Sequence, residues 1–188
     1  MEGPWLISYL VLWALTVLLV LVVLAHSRLL GLLHHRIRPS AARPMADGPT
    51  LGTPFTRLAG SRLDGTSWTC EFPNTGGMIL VFMSPQCQTC NELMPHVKDF
   101  VRANAGDNLI LVSLLEDPLM NQAYVRFQRL EKVPYIIAPR LAIEMSVEGT
   151  PYAISLSRDG VVTAKGLVNN YEHLTSLCAI VAEQPSPA

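Results

Sequence analysis

The sequence predicts an α/β fold, a mixed sheet flanked by helices, preceded by one N-terminal transmembrane helix. Residues 5–24 form a run of twenty residues without a charge. Two apolar runs, 78–83 and 109–115, are each followed by a helical pattern, which is typical of buried strands in a layered α/β domain. The chain then shows a hairpin signal at Asp159 and Gly160 and an amphipathic helix over 170–181.

Length and composition allow one globular domain besides the membrane segment. The chain has 188 residues, 49% of them hydrophobic, and the apolar excess is concentrated in the first 35 positions. With 14 basic and 15 acidic residues the net charge is −1, which leaves no basic surface for nucleic acid. We therefore divide the chain into a membrane anchor (1–38), a linker rich in Pro, Ala and Gly (39–50), a globular domain (51–182) and a tail (183–188).

The N-terminal apolar run has the length of a membrane-spanning helix. At about 1.5 Å per residue, residues 5–24 span about 30 Å, the thickness of a hydrocarbon core. Glu2 precedes the run and no small-residue cleavage site follows it, which favours an anchor over a cleaved signal peptide. The arginines nearest to the run all follow it: Arg28, Arg36, Arg38 and Arg43. Taken alone, the positive-inside rule therefore places the globular domain in the cytoplasm.

Strands and helices alternate along the globular domain. The run 78–83, bounded by Gly77 and Ser84, has the unbroken apolar character of a central strand covered on both faces. Apolar residues after Cys87 recur with the period of a helix. The remaining predicted elements are strands over 68–72, 109–115, 152–156 and 161–167, an extended piece over 135–138, and helices over 118–130, 141–147 and 170–181.

Two cysteines, Cys87 and Cys90, lie where the central strand gives way to a helix. They stand almost one helical turn apart, so their sulfurs can bond to each other. Free N–H groups and the dipole of the first turn stabilise a thiolate, so we expect Cys87 to have a lowered pKa and to attack disulfides. Cys90 is then the deeper, resolving thiol. The alternatives are an inert buried pair or half of a zinc site; because no second Cys-x-x-Cys is present, we predict no metal, and no cofactor is implied.

Other residues near this junction carry weaker signals. Pro95 falls inside the predicted helix, where a proline is costly. Thr150 and Pro151 precede a strand, and a cis bond there would leave the Thr150 backbone free to pair with a bound peptide; an ordinary proline at a strand start is the alternative. Five further residues carry expectations. Cys70 and Cys178 are expected to pack as small apolar residues, and His173 to be solvated or to cap a helix. Asp117 and Glu116 are candidates for proton transfer near the thiols.

The apolar strand, the Cys-x-x-Cys, the helix proline and the late Thr-Pro together resemble the thioredoxin superfamily, and Leu51 to Phe55 resembles its redoxin branch. More narrowly, the chain is similar to the MauD family of methylamine-utilisation accessory proteins. This similarity rests on GLLHHRIRP (31–39), FMSPQCQTC (82–90) and the long stretch GTPYAISLSRDGVVTAKGLVNNYEHLTSL (149–177).

The resemblance implies a membrane-anchored protein needed for maturation of the small subunit of methylamine dehydrogenase, a periplasmic subunit dense in disulfides that contains a tryptophan-derived quinone. It implies that Cys87 and Cys90 are the redox cysteines and that Pro151 is a cis proline. Besides this subunit, we expect two further partners: membrane lipid around the N-terminal helix, and a membrane or periplasmic redox partner. Gln88 and Thr89 replace the Gly-Pro of thioredoxin and Gln86 replaces its tryptophan, so neither the direction of electron flow nor the redox potential carries over.

These features predict a membrane-tethered thiol–disulfide oxidoreductase or isomerase that forms or rearranges disulfides in an exported subunit. Such work requires a periplasmic domain at the inner membrane, which conflicts with the arginine distribution; we favour the location that the chemistry requires. A non-enzymatic escort that clamps the immature subunit and a generic disulfide reductase are the alternatives. Peroxide reduction requires a PxxxTxxC setting, which Ser84 to Cys87 does not supply.

Overall fold

The structure is a computed structural model that describes residues 3–36, 48–104 and 108–182. The chain divides into two compact units, Met1–Pro39 and Ser40–Ala188. Most of the predicted linker, residues 39–47, and the predicted tail, residues 183–188, lie outside the described residues.

The described residues of the first unit form the helix α1 (Gly3–Arg36), which includes the whole of the predicted 5–24 helix and continues beyond it. No helix among the described residues is long and apolar enough to cross a membrane. A transmembrane role for residues 5–24 therefore stays a prediction.

The second unit is built on one mixed sheet. Its strands, over the described residues, are β1 (Arg57–Ser61), β2 (Ser67–Glu71), β3 (Met78–Met83), β4 (Asn108–Ser113), β5 (Tyr135–Ile137), β6 (Tyr152–Leu156) and β7 (Val162–Leu167). The strand order is β2-β1-β5-β4-β3-β6-β7. Strands β3, β4 and β5 are parallel, and the other pairings are antiparallel. The predicted mixed α/β class is confirmed.

Helices cover both faces of this sheet. They are α2 (Gln88–Ala103), α3 (Pro118–Gln128), α4 (Pro139–Glu144) and α5 (Tyr171–Ala182). Ile79, Val81 and Met83 of β3 pack with buried residues of α2, α3 and α5. The alternate residues of β3 pack in a second cluster with α4. Because both faces of β3 are covered, the strand is apolar along its whole length, as its sequence predicts.

The sheet topology brings three distant segments to one edge. The parallel strands β3, β4 and β5 all end there, so the residues that follow Met83, Ser113 and Ile137 are neighbours. Strand β6 runs antiparallel to β3, with Tyr152 opposite Phe82, and therefore begins at the same edge. The Cys87 turn and the Thr150-Pro151 peptide meet there for this reason.

Strand β1 is not predicted by the sequence pattern, since Leu58 is its only large apolar residue and Gly60 interrupts it. The glycine has a steric reason, because a Cβ on Gly60 would lie 2.9 Å from the Cβ of Ala138 and 3.1 Å from the Ile137 carbonyl oxygen. Strands β1 and β2 form an antiparallel hairpin. Because Gly60 has no side chain, β1 can lie close to the end of β5, with which it shares one ladder pair, Ser61 with Ile137.

Candidate active site

A tight turn after β3 delivers Cys87 to the start of α2. The Cys87 N–H donates to the Ser84 carbonyl oxygen at 3.0 Å, and Cys87 takes the N-cap position with extended backbone angles of φ −84° and ψ 118°. Its sulfur accepts the N–H of Cys90 at 3.2 Å. The first N–H groups of a helix have no partner within the helix, so this N-cap sulfur satisfies one of them.

The surroundings of Cys87 favour its thiolate. Burial acts to raise the pKa of the Cys87 thiol, but hydrogen bonds from the Cys90 side chain, from Thr150 and from the backbone of Cys90 outweigh it. The pKa of Cys87 is therefore lowered, in the direction that its place at a helix N-terminus predicts. Its side chain is half-buried, so a substrate sulfur can still reach it.

Cys90 has the opposite character. It is fully buried beneath Cys87, and burial, followed by the proximity of Cys87, raises its pKa to about 12. Both cysteines are free thiols. The pair thus combines one accessible sulfur of lowered pKa with one sheltered sulfur that keeps its proton. The division into an attacking and a resolving thiol stays a prediction.

The peptide opposite the thiols is Thr150-Pro151, and its bond is cis. The Cys87 thiol donates to the Thr150 carbonyl oxygen at 3.7 Å, a contact that joins residues 63 positions apart in the chain. Pro151 is buried, and its carbonyl oxygen accepts the N–H of Val168 at 3.2 Å. Thr150 is only partly buried and forms the wall of the site beside the accessible sulfur.

A group of buried polar residues on α3 and β5 has no motif in the sequence. It consists of Asn121, Tyr124 and Tyr135, which we call the α3 polar cluster. The Asn121 amide donates to the carbonyl oxygens of Leu115 at 2.8 Å and Asp117 at 2.7 Å, and it accepts the Tyr135 hydroxyl at 2.6 Å. The one sequence feature that could have indicated this cluster is the i, i+3 spacing of Asn121 and Tyr124, which places both on the buried face of α3.

Other expected residues take structural positions. Asp117 is the N-cap of α3, accepting the N–H groups of Leu119 at 2.9 Å and Met120 at 3.2 Å, while Glu116 is exposed. Proton transfer by these two carboxylates stays a prediction, and the structure gives Asp117 a capping role.

Cys70 and Cys178 are partly buried against the two core clusters, which agrees with the expected packing role. His173 is 2% exposed, so the expectation of a solvated histidine is wrong. Its backbone N–H donates to the side chain of Asn170 at 2.9 Å, so Asn170 caps the start of α5.

The fold, together with a Cys-x-x-Cys between a central strand and a helix, defines a thioredoxin-like protein with a thiol pair at the helix start. Solved structures agree on the fold. The thioredoxin domain of a thiol-disulfide oxidoreductase from Bacteroides vulgatus is similar with a TM-score of 0.58 and 16% identity, over 73% of this chain and 99% of that one. A thiol:disulfide interchange protein from Chlorobium tepidum has a TM-score of 0.58 and 17% identity, over 71% and 97% of the two chains.

Sequence relatives narrow the class to a family. The chain is 30% identical to the methylamine utilization protein MauD of Methylobacillus flagellatus over 178 residues, which cover 94% of this chain and 86% of the relative. It is 28% identical to the MauD protein of Paracoccus versutus over 172 residues, 90% and 85% of the two chains. No protein-family model matches the chain. The chain belongs to the MauD family.

Proposed function

We propose that this chain is a membrane-tethered thiol–disulfide oxidoreductase that acts in maturation of the small subunit of methylamine dehydrogenase. The observation that carries the redox role is the asymmetry of the thiol pair, with Cys87 accessible at a helix N-cap and Cys90 buried behind it. The relatives are named for methylamine utilization, and a dehydrogenase subunit dense in disulfides is a substrate that needs this chemistry.

The reaction proceeds through a mixed disulfide. The Cys87 thiolate attacks one sulfur of a substrate disulfide, forming a bond between Cys87 and that sulfur while the other substrate sulfur leaves as a thiolate. Cys90 then loses its proton and attacks Cys87, which releases the second substrate thiolate and leaves a Cys87–Cys90 disulfide. Run in reverse, the same two steps pass that disulfide to a substrate dithiol. An isomerase cycle ends when a second substrate thiolate, in place of Cys90, releases Cys87.

Thr150 and Pro151 complete the site as the substrate-binding segment. The Thr150 carbonyl oxygen lies beside the Cys87 sulfur, where the backbone N–H of an extended substrate peptide can donate to it. Because Pro151 is buried, the fold holds this peptide in place before a substrate arrives. Bound in this way, a substrate presents its cysteine to Cys87.

The membrane part of the proposal assigns residues 5–24 as the anchor and the non-cytoplasmic side as the location of the globular unit. Support comes from the uncharged sequence of this run and from the chemistry, since stable disulfides form outside the cytoplasm. A cysteine placed at Ala42 in a chain without other cysteines tests the location. Labelling of intact cells by a membrane-impermeant maleimide is expected; labelling only after lysis would contradict it.

Trapping tests the redox role and the substrate together. A Cys90→Ser chain should accumulate a mixed disulfide between Cys87 and the dehydrogenase small subunit, because the resolving attack is lost. A Cys87→Ser/Cys90→Ser chain should trap nothing, and Cys70→Ser, which changes a thiol outside the pair, is the matched control and should support normal maturation. If the double variant still yields a correctly cross-linked, active subunit, the redox proposal is wrong and an escort role replaces it.

A further inference from the structure

Tyr124 has a buried hydroxyl that the fold does not satisfy. The residue is 8% exposed, and within the part of the chain that the structure describes its hydroxyl oxygen has no hydrogen-bond partner. The other two members of the α3 polar cluster differ, since Asn121 and Tyr135 bond to each other at 2.6 Å. A buried hydroxyl without a partner is unfavourable for the folded state and calls for an explanation, of which a role in redox chemistry is one.

The position of Tyr124 relates it to Cys90. Both belong to the same buried cluster, and α2 and α3 begin at the same sheet edge because each follows the end of a parallel strand. Cys90 is the third residue of α2, and Tyr124 is the seventh of α3, about 9 Å along its axis. Helical side chains lean toward the N-terminus of their helix, so the Tyr124 ring extends back toward the edge where Cys90 lies.

The electrostatics agree with this placement. Burial first, and then negative charge on Tyr135, Cys90 and Cys87, raises the pKa of Tyr124. The hydroxyl is therefore within electrostatic reach of both sulfurs, and it keeps its proton, which makes it a hydrogen-bond donor rather than a base.

Cys90 needs such a donor. Its pKa of about 12 means that the thiolate required for resolution is strongly disfavoured in its buried surroundings. None of the buried side chains in the described ranges is a carboxylate. Hydrogen bonds from the Ser84 backbone and the Thr150 side chain act to lower the pKa of Cys90, but burial outweighs them. A buried negative charge is costly, so a further neutral donor that turns toward the sulfur as the charge develops lowers the barrier.

We propose that the Tyr124 hydroxyl donates a hydrogen bond to the Cys90 sulfur while that sulfur carries negative charge. This inference rests on the proposed redox function. In the resolving step, Cys90 gives up its proton to solvent, its sulfur bonds to Cys87, and the bond from Cys87 to the substrate sulfur breaks. The substrate sulfur leaves with the electron pair and takes up a proton from solvent. In the reverse step Cys90 departs from Cys87 as a thiolate, and the same hydrogen bond stabilises it.

A hydrogen-bonding role of Tyr124 and a mere packing role predict different effects of Tyr124→Phe. At neutral pH Cys90 is a protonated thiol in the reduced chain and part of a disulfide in the oxidised chain, so the hydrogen bond acts only during the transfer. Tyr124→Phe should therefore slow resolution and its reverse by the same factor, about tenfold for a hydrogen bond to a charged group, and leave the reduction potential unchanged. Since the lost hydroxyl is unsatisfied, the variant should unfold at the same or a higher temperature.

The experiment uses the full-length chain in detergent with Cys70→Ala and Cys178→Ala, so that only the Cys87 and Cys90 pair reacts. An aromatic disulfide that releases a coloured thiolate is mixed with the reduced chain. The first release reports attack by Cys87, and the second reports attack by Cys90 on the mixed disulfide. Tyr124→Phe should leave the first phase unchanged and slow the second about tenfold.

Tyr135→Phe is the matched control, because it removes a hydroxyl that already has a partner in Asn121. It should lower the unfolding temperature and leave the second phase unchanged. A second phase in Tyr124→Phe equal to that of the parent chain would overturn the inference, as would loss of folding in that variant. If the parent chain itself shows no second phase, the proposed redox function fails, which is a different result.

Discussion

Replacing Asn121 by leucine removes the side chain that holds the α3 polar cluster together. The two residues are similar in size, so the change alters polarity more than volume. In the native chain the Asn121 side chain is fully buried and bonds to the Leu115 carbonyl oxygen, the Asp117 carbonyl oxygen and the Tyr135 hydroxyl. The substitution therefore tests whether this cluster contributes to the stability of the globular unit.

The expected cost follows from counting the partners that are left behind. The Asp117 carbonyl oxygen keeps the N–H of residue 121 at 3.1 Å, so it stays satisfied. The Leu115 carbonyl oxygen and the Tyr135 hydroxyl lose their bond to the amide, and each such loss costs about 1–3 kcal/mol. Burial of the leucine side chain offsets part of this. The net loss is about 3 kcal/mol, or about 10 °C in Tm for a domain of this size.

Urea and thermal unfolding of the reduced chain, followed by near-ultraviolet circular dichroism, measure this loss. A double-mutant cycle sharpens the test, because Tyr135→Phe removes one of the two groups that lose a bond in Asn121→Leu. In Asn121→Leu the Tyr135 hydroxyl keeps its weaker contact to the Met83 sulfur at 3.6 Å. The double variant should be more stable than the sum of the single losses predicts, by about 1 kcal/mol. A loss below about 1 kcal/mol for Asn121→Leu, or strict additivity in the cycle, would refute the reasoning.

Three further predictions concern single residues. The pKa of Cys87 is lowered in the folded chain, so its alkylation rate should reach half-maximum at a pH below the pKa of free cysteine, about 8.5. For the same reason the reduced chain should become more stable as the pH rises toward about 8.5. An unshifted midpoint in rates measured by mass spectrometry would contradict this. In urea titrations Gly160→Ala should destabilise the chain far more than Gly65→Ala. Both glycines have a positive φ, but a Cβ at Gly160 would lie 2.7 Å from the Phe72 ring, whereas a Cβ at Gly65 would meet nothing within 4 Å. Asp117→Ala should lower the free energy of unfolding by about 1 kcal/mol, because the N-cap of α3 is lost, and should leave the pH dependence of Cys87 alkylation unchanged. Slower alkylation of Cys87 in this variant would instead support proton transfer by Asp117.

The elements that the sequence predicts well are those in which local pattern and tertiary surroundings agree. Strands β3 and β6 have the predicted bounds, because unbroken apolar runs flanked by turn residues have few other structures open to them. The position of the thiol pair could be predicted for the same reason, because the strand-to-helix junction is visible in the sequence of residues 78–93 alone. Strand β1 escapes prediction because Arg57–Ser61 has little hydrophobic pattern and is held by pairing with β2.

The α3 polar cluster could not be predicted for a different reason. Asn121, Tyr124 and Tyr135 belong to two elements, and each residue type is common in loops and on surfaces. Only the packing of α3 over the sheet buries these three residues and brings the Asn121 amide to the Tyr135 hydroxyl. Asp117 illustrates the same limit, because a carboxylate after a buried strand is typical both of a catalytic group and of a helix N-cap.

Because β1 and β5 share a single ladder pair, the β1–β2 hairpin can detach from the sheet while the other strands stay paired. Over the described residues, strands β1 and β5 share one ladder pair, Ser61 with Ile137, and the buried side chain of Leu58 anchors the β1–β2 hairpin in the core. Amide hydrogens in the hairpin therefore exchange with solvent through local detachment, while those of β3, paired along its length with β4 and β6, exchange only when the whole unit unfolds.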